Sequence, residues 1–461
     1  MAPGLAGTDA SLGASLCGLL AFVVLLLLPG LLVVRAPWPA VPFLSLSFWA
    51  LSWGWLFGAS RQRFLHAALL GFLLLALLRL LKPLGLRAPR GSTVLVLAAA
   101  ALPLLAFFCW PLCPGAEMSF HSLGARLLVW RDGLPLTYEP LVSLRPFGAH
   151  APALPALAAD VSLLSGLAPA KAVLLAHQAA VGLLIVALHA FLVRLAPPGA
   201  PPVAALGAVL AVALARVPAA FSAFGDGGPV LALAFAVATA AWLGPTSSRS
   251  AAVAAGLFLG ASALAQPALA LAALVALGLR LRPWRGGDGR IRLGLAAGLA
   301  VVLAAPFLLR LAESLSLGEI EAAVPGPRQV APALAALFVA AAVAWVARRL
   351  WPPRRWAVLG LAGLGLAAVG SSAYDALDRA HGLRPGPAER AAMARLAKGA
   401  RPLETVCIEP GSAGLWMPAL VGRPVSHPWA PLVYRDELAA IAPIPCELTP
   451  TPSVTSFDVC R

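Results

Sequence analysis

Residues 117–140, EMSFHSLGARLLVWRDGLPLTYEP, decide how this chain is read. They follow an apolar run and are the first long stretch that is not membrane-like. They set a carboxylate and a histidine, Glu117 and His121, just beyond that run. If a helix begins at or before Glu117, the i,i+4 spacing puts both on one face. The expectation is a set of membrane spans that hold this loop at the outer lipid–water boundary, with the chemistry there.

Working outward, the rest of the chain is strongly apolar. Of 461 residues, 60% are hydrophobic and 11% charged, with a mean hydropathy of +0.87. No soluble core hides that much apolar surface, and runs of about 18 or more apolar residues mark membrane helices. The expected fold is an all-α polytopic membrane protein. The net charge of +15 does not point to nucleic acid, because the arginines sit in short loops between spans, where positive charge sets topology. Richness in Ala, Arg and Leu with only Lys82, Lys171 and Lys398 suggests a GC-rich bacterial gene. No cleavable signal is evident, since the N-terminus lacks a basic region and its first apolar run is long enough to span.

Spans are expected near 14–34, 39–59, 64–81, 92–112, 170–193, 203–223, 228–244, 292–309, 331–347 and 356–372. The block 251–281 is broken by Gln266-Pro267 into a hairpin of two short helices, 251–265 and 268–281, because proline removes a backbone donor. That makes about twelve membrane segments at ~20 residues per span. Basic loops at 79–90, 249, 280–292 and 348–355 belong in the cytoplasm. Both termini, the loop 113–169 and the tail 373–461 then lie outside. Arg61 and Arg63 fall on the wrong side of this scheme.

Three regions follow: N-terminal spans 1–91, a core 92–372 with its outer loop, and a small extracytoplasmic α/β tail, 373–461. Within the loop, 120–130 reads as an amphipathic helix with Phe120, Leu123, Leu127 and Trp130 on one stripe. Such a helix lies in the membrane interface. Residues 151–166, apolar but short, read as a second interfacial helix. Asp132-Gly133 makes a turn. In the tail, 387–398 reads as a helix and 405–409 as a short strand.

Several residues are candidates for chemistry. Glu117 can take a proton from an acceptor hydroxyl, and His121 can share that work; the plainer account is a helix-start carboxylate beside an interfacial histidine. Arg216 is a charge well inside an expected span, where charges are costly and usually functional. Its guanidinium suits a lipid phosphate; snorkelling to the interface is the alternative. Arg145, His150 and Tyr138 can shape a polar pocket above the membrane, or belong to a solvated loop. Asp226, in the turn FGDGGP, is another outer acid that turn chemistry also explains. His177 and His189 are expected to hydrogen-bond between helices. Cys109, Cys113, Cys407, Cys446 and Cys460 sit at or near the outer face, where oxidation is permitted, and Cys446 with Cys460 closes the shortest loop. Cys17 is expected to be buried in the first span. No cysteine pair has metal-site spacing.

An acid just after a span, then Phe120-His121, an amphipathic helix and Gly133-Leu134-Pro135-Leu136-Thr137-Tyr138-Glu139-Pro140 together resemble the first large outer loop of the GT-C class of membrane glycosyltransferases. The stretches 163–194 and 256–271, the latter with its Gln266-Pro267 break, are similar to later elements of that class, as is GLWMPALVGRP at 414–424. The resemblance covers roughly 92–425 and implies a bacterial inner-membrane enzyme that moves a sugar from a polyprenyl-phosphate donor. The acceptor, a glycan, lipid or protein, is left open. It implies Glu117 as the catalytic carboxylate, with no cofactor required and a divalent metal left open. Members show an Asp or an Asp-Glu pair where this chain has Ala116-Glu117, and three spans precede residue 92 here. A transporter or flippase, or an inactive envelope scaffold, are the competing classes. One broken hairpin without a second copy argues against the repeat architecture of transporters.

The topology is testable by labelling. In a variant freed of its native cysteines, Gly148→Cys should react with an impermeant thiol reagent in intact cells. Gly286→Cys should react only after permeabilisation. The reverse pattern would invert the whole scheme.

Overall fold

The structure, a computed structural model, describes residues 11–32, 38–56, 59–80, 91–110, 112, 116–135, 137–138, 141, 152–195, 227–244, 248–281, 287–316, 385–399, 406–407, 416–425 and 458–459. The expected spans 203–223, 331–347 and 356–372, and Arg145, His150, Arg216, Asp226, Cys113, Cys446 and Cys460, lie outside the described residues.

The described chain is a helical bundle. The first helices are α1 (Leu12–Leu32), α2 (Val41–Trp55), α3 (Arg61–Leu80), α4 (Gly91–Ala101) and α5 (Leu105–Cys109). The outer loop supplies α6 (Ala116–Arg131) and α7 (Ala153–Ser165). Then come α8 (Pro169–Leu195), α9 (Gly227–Trp242), α10 (Arg249–Ala265), α11 (Pro267–Leu281) and α12 (Gly287–Ser316). The tail contributes α13 (Pro387–Gly399) and the short α14 (Met417–Val421).

Four helices among the described residues are long and apolar enough to cross a membrane: Leu12–Leu32, Arg61–Leu78, Pro169–Arg194 and Gly289–Arg310. Ala153–Ser165, Gly228–Trp242, Arg249–Ala265 and Pro267–Gly278 are apolar but shorter. Large apolar side chains point outward from α1, α3, α11 and α12, among them Leu12, Leu78, Leu271, Ile291 and Leu309. Water would penalise such a surface and lipid would not.

α8 is the axis. At 27 residues it is about 40 Å long, and it is buried on nearly every side up to Ala190. It packs against α4, α6, α7 and α9. Gly182 lets α4 come close: a Cβ there would lie 2.2 Å from the Ala100 carbonyl oxygen. Small residues at such crossings are how helices pack in lipid.

Prolines interrupt several helices, and neighbours repair the damage. Pro29 inside α1 cannot donate to the carbonyl four residues back, Leu25. The indole of Trp49 on α2 donates to that oxygen instead, at 3.0 Å. The next amide, Gly30, donates to Ser45 Oγ at 2.8 Å. In α12, which contains Pro306, the Trp55 indole donates to Leu303 O at 3.0 Å, one residue past the Val302 carbonyl that the proline deprives of its helical donor. Unsatisfied backbone is expensive away from water, so these contacts fix how α1 and α12 sit on α2. The expected span 92–112 is split at Pro103 into α4, a 3₁₀ turn (Leu102–Leu104) and α5. The break at Gln266 falls where the proline predicts. Ser248 caps α10, accepting from Ala251 N at 3.2 Å, and both α10 and α11 pack on α9.

The two loop helices differ from the interfacial expectation. α7 is buried from Ala153 to Ser162 and touches α1, α2, α3, α6 and α8. α6 buries Phe120, Leu123 and Leu127 as the stripe requires, but also Met118, Ala125 and Leu128 on its other side. Trp130 alone of that stripe stays open. α6 is covered on both sides because the tail helix α14 also packs against it. Cys17 lies on the outward side of α1 and is an exposed free thiol, not a buried one. Among the described residues the tail's strand content is a two-residue antiparallel ladder, Val406–Cys407 with Asp458–Val459, and an isolated parallel bridge from Val406 to Val425.

Arg61, misplaced as a loop charge, is fully buried and paired with Asp160 of α7. Nε donates to Oδ1 at 2.8 Å and Nη2 to Oδ2 at 2.6 Å. Trp53 Nε1 adds a bond to Oδ1 at 3.1 Å. The remaining guanidinium donors reach Ser52 Oγ and Trp49 O. Arg61 is therefore a neutralised interior charge and not a loop charge, while Arg63 is exposed.

Removing one partner should strand the other charge. Asp160→Ala should destabilise the purified protein by about 3–5 kcal/mol, read as a lowered unfolding midpoint by tryptophan fluorescence. Pairing it with Arg61→Met should recover much of the loss. A single variant as stable as the parent would deny the pair its role.

Candidate functional site

One end of the bundle gathers the outer loop, the start of α3, the end of α12 and the tail. Ser60 caps α3, its Oγ accepting from Arg63 N at 3.2 Å. Asp132, from the turn after α6, reinforces that cap. Its Oδ1 accepts from Gln62 N at 2.7 Å, its Oδ2 accepts from the Ser60 hydroxyl, and its carbonyl accepts from Arg61 N at 2.8 Å. A carboxylate at a helix N-terminus is favoured by the free amides and the helix dipole. Asp132 reaches it by adopting a left-handed backbone, φ 49°, which Asp tolerates better than most residues. Arg310, near the end of α12, donates to Pro135 O at 2.9 Å.

These contacts frame an open cleft of about 650 Å³ lined by Ala59, Ser60, Arg131, Asp132, Gly133, Leu134, Pro135 and Thr137. Arg131 is exposed and its guanidinium stands 5.3 Å from the Trp130 ring centroid. The cleft offers a cation, hydroxyls and turn backbone.

Glu117 is in the first turn of α6 and His121 one turn later. They share a helical stripe with Leu128, and both His121 and Leu128 are buried. Glu117 and Arg131 are fourteen positions apart, about 21 Å along a helix. The pair therefore sits at the opposite end of α6 from the cleft. Tyr138 is buried and packs its ring on Phe120, centroids 4.8 Å apart. Of the seven expected site residues, Glu117, His121 and Tyr138 are described, and all three belong to the loop around α6.

Residues that spacing did not single out are also prominent. Lys171, in the first turn of α8, donates to Phe107 O and Trp110 O, closing the frayed end of α5. Arg126 is largely buried between α6 and α14 and donates to Ala419 O at 3.1 Å. Burial pushes its guanidinium down to about 10, still charged at neutral pH. Asp160, an acid inside an apolar helix, was the readable signal for the Arg61 pair. His177 and His189 are buried on α8. Among the described residues no group of three or more His, Cys, Asp or Glu could hold a metal ion.

Comparison with protein families, with curated proteins and with solved structures finds no match.

The Asp132 strap has a measurable consequence. Asp132→Ala should lose the cap and the left-handed turn together, costing about 1–3 kcal/mol and raising the cleavage rate at 133–137 under limited proteolysis. Asp132→Asn, which keeps an acceptor and tolerates the turn, should lie between. Equal protease resistance in all three proteins would show that the strap does not hold the loop.

Proposed function

We propose that this chain is a membrane glycosyltransferase that moves a sugar from a lipid-phosphate donor to an acceptor at the outer face of a bacterial inner membrane. It would be a multi-pass protein of about twelve membrane segments, with both termini, the loop and a small α/β tail outside. The observation that carries the proposal is the placement of α6. The helix bearing Glu117 and His121 is gripped between α7 and α8 of the bundle on one side and α14 of the tail on the other. That is a rigid mount for a loop carboxylate, and rigid mounts are what catalytic geometry needs.

In the proposed reaction the acceptor hydroxyl oxygen attacks the anomeric carbon of the donor sugar. Glu117 takes the hydroxyl proton as the new carbon–oxygen bond forms. The bond from the anomeric carbon to the phosphate oxygen breaks, and the electron pair leaves with the lipid phosphate. Preorganised positive charge stabilises that leaving group; Arg216 and Arg145 are assigned this role. His121 assists Glu117, and Tyr138, His150 and Asp226 shape the substrate pocket. The reading rests on the resemblance of the loop and on this mounting.

Glu117→Gln keeps the shape and removes the base. With polyprenyl-phosphate-linked sugars as donors, kcat should fall by about 10²–10⁴-fold while the KM for donor changes little. Full activity in the variant would remove Glu117 from the mechanism. No transfer by the unmodified protein from any such donor would remove the mechanism itself.

A further inference from the structure

We infer that Arg126 and the Gly422 turn form a phosphate-binding site between the outer-loop helix α6 and the tail, separate from the Glu117 stripe and independent of the proposed transfer reaction.

Arg126 is a cation out of place. Buried arginines are normally matched by a carboxylate, as Arg61 is by Asp160. Among the described residues no carboxylate pairs with Arg126, and its hydrogen-bond partner is the Ala419 carbonyl alone. Nη1 makes that bond. The guanidinium lies against Gly422: a Cβ there would stand 2.7 Å from Nη2, 3.0 Å from Cζ and 3.1 Å from Nε. Gly422 has φ +69° and ends α14, so the turn both requires glycine and keeps room for the flat group.

Nη1 holds the Ala419 carbonyl, and the second edge, which carries Nε–H and Nη2–H, is flanked by the Gly422 turn with no hydrogen-bond partner among the described residues. Two parallel donors on that edge match two oxygens of a phosphate, the bidentate geometry in which arginine surpasses lysine. Arg126 keeps part of its surface open to solvent, so a ligand can reach it. Four positions on, on the same stripe, stands exposed Trp130. Exposed tryptophans collect at the level of lipid headgroups, which places the free edge where phosphates are dense. Glu117 is nine positions before Arg126, about 180° round the helix at 3.6 residues per turn. The two cannot serve one phosphate.

The shared chemistry is a phosphate oxyanion, from a lipid headgroup or from a soluble ester. Full-length protein in neutral detergent would be titrated in two arms, monitored by tryptophan fluorescence at constant ionic strength with chloride as the control anion. One arm uses inorganic phosphate; the other uses micelles carrying phosphatidic acid, with phosphatidylcholine as reference. Saturable binding is expected in at least one arm. Response to inorganic phosphate assigns a soluble source as sufficient; response to phosphatidic acid alone assigns a headgroup. Arg126→Lys should weaken binding about tenfold, and Gly422→Ala should do the same by displacing the guanidinium. Arg63→Gln, an exposed arginine near the start of α3, should leave affinity unchanged. Absence of binding by the unmodified protein overturns the site, whatever the variants do. Equal loss in the Arg63 and Arg126 variants overturns it as well, because binding would then follow net charge.

Discussion

A buried guanidinium facing a buried carboxylate is the constraint around which the described bundle is arranged. Arg61 and Asp160 come from helices ninety-nine residues apart in sequence, and each is sealed from solvent. Charges in such surroundings are tolerable only when every donor and acceptor is used. Here they are used by Trp53, Ser52 and the Trp49 carbonyl, with the Trp53 and Phe64 rings 4.5 and 5.0 Å from the guanidinium carbon. Such a pair adds little net stability over an apolar substitute. What it adds is register. The arrangement of α2, α3 and α7 satisfies all of these groups together.

The consequence is that the outer loop is part of the bundle rather than a flap above it. With α7 locked to α2 and α3, the loop's other helix must pack between α7, α8 and the tail. Its polar residues then need partners inside protein: Ser122 Oγ donates back to Met118 O at 2.6 Å, and Arg126 reaches the tail. The same logic recurs at the prolines. Trp49 and Ser45 repair the Pro29 break from the side, and Trp55 ties α12 to α2 near Pro306, so side chains of α2 serve backbone groups as well as packing.

Much of the helix pattern was legible because apolar run length and proline breaks are local signals. The starts and ends of α1, α3, α8, α9 and the α10–α11 break follow from them within a few residues. The burial of α6 and α7 was not legible. A helix in the interface and a helix under a second layer share one pattern, and only the tail's return to α6 distinguishes them. The Arg61–Asp160 pair was half visible: Arg61 violated the charge rule, and Asp160 interrupted an apolar helix. Neither clue names the other, because pairing across ninety-nine residues is a tertiary fact. Arg126 drew no reading from the sequence, because only the fold sets Ala419 and the Gly422 turn against it. Glu117 remains a reading of loop order and of where α6 is mounted.

The two sides of α6 carry different chemistry, and the helix joins them mechanically. His121 and Leu128 are buried on one stripe of the helix, while Arg126 meets the tail at Ala419 and Trp130 is exposed. A helix held at both sides by packing moves as a unit rather than bending. One helix is thus held from two sides, by α7 and α8 of the bundle and by α14 of the tail.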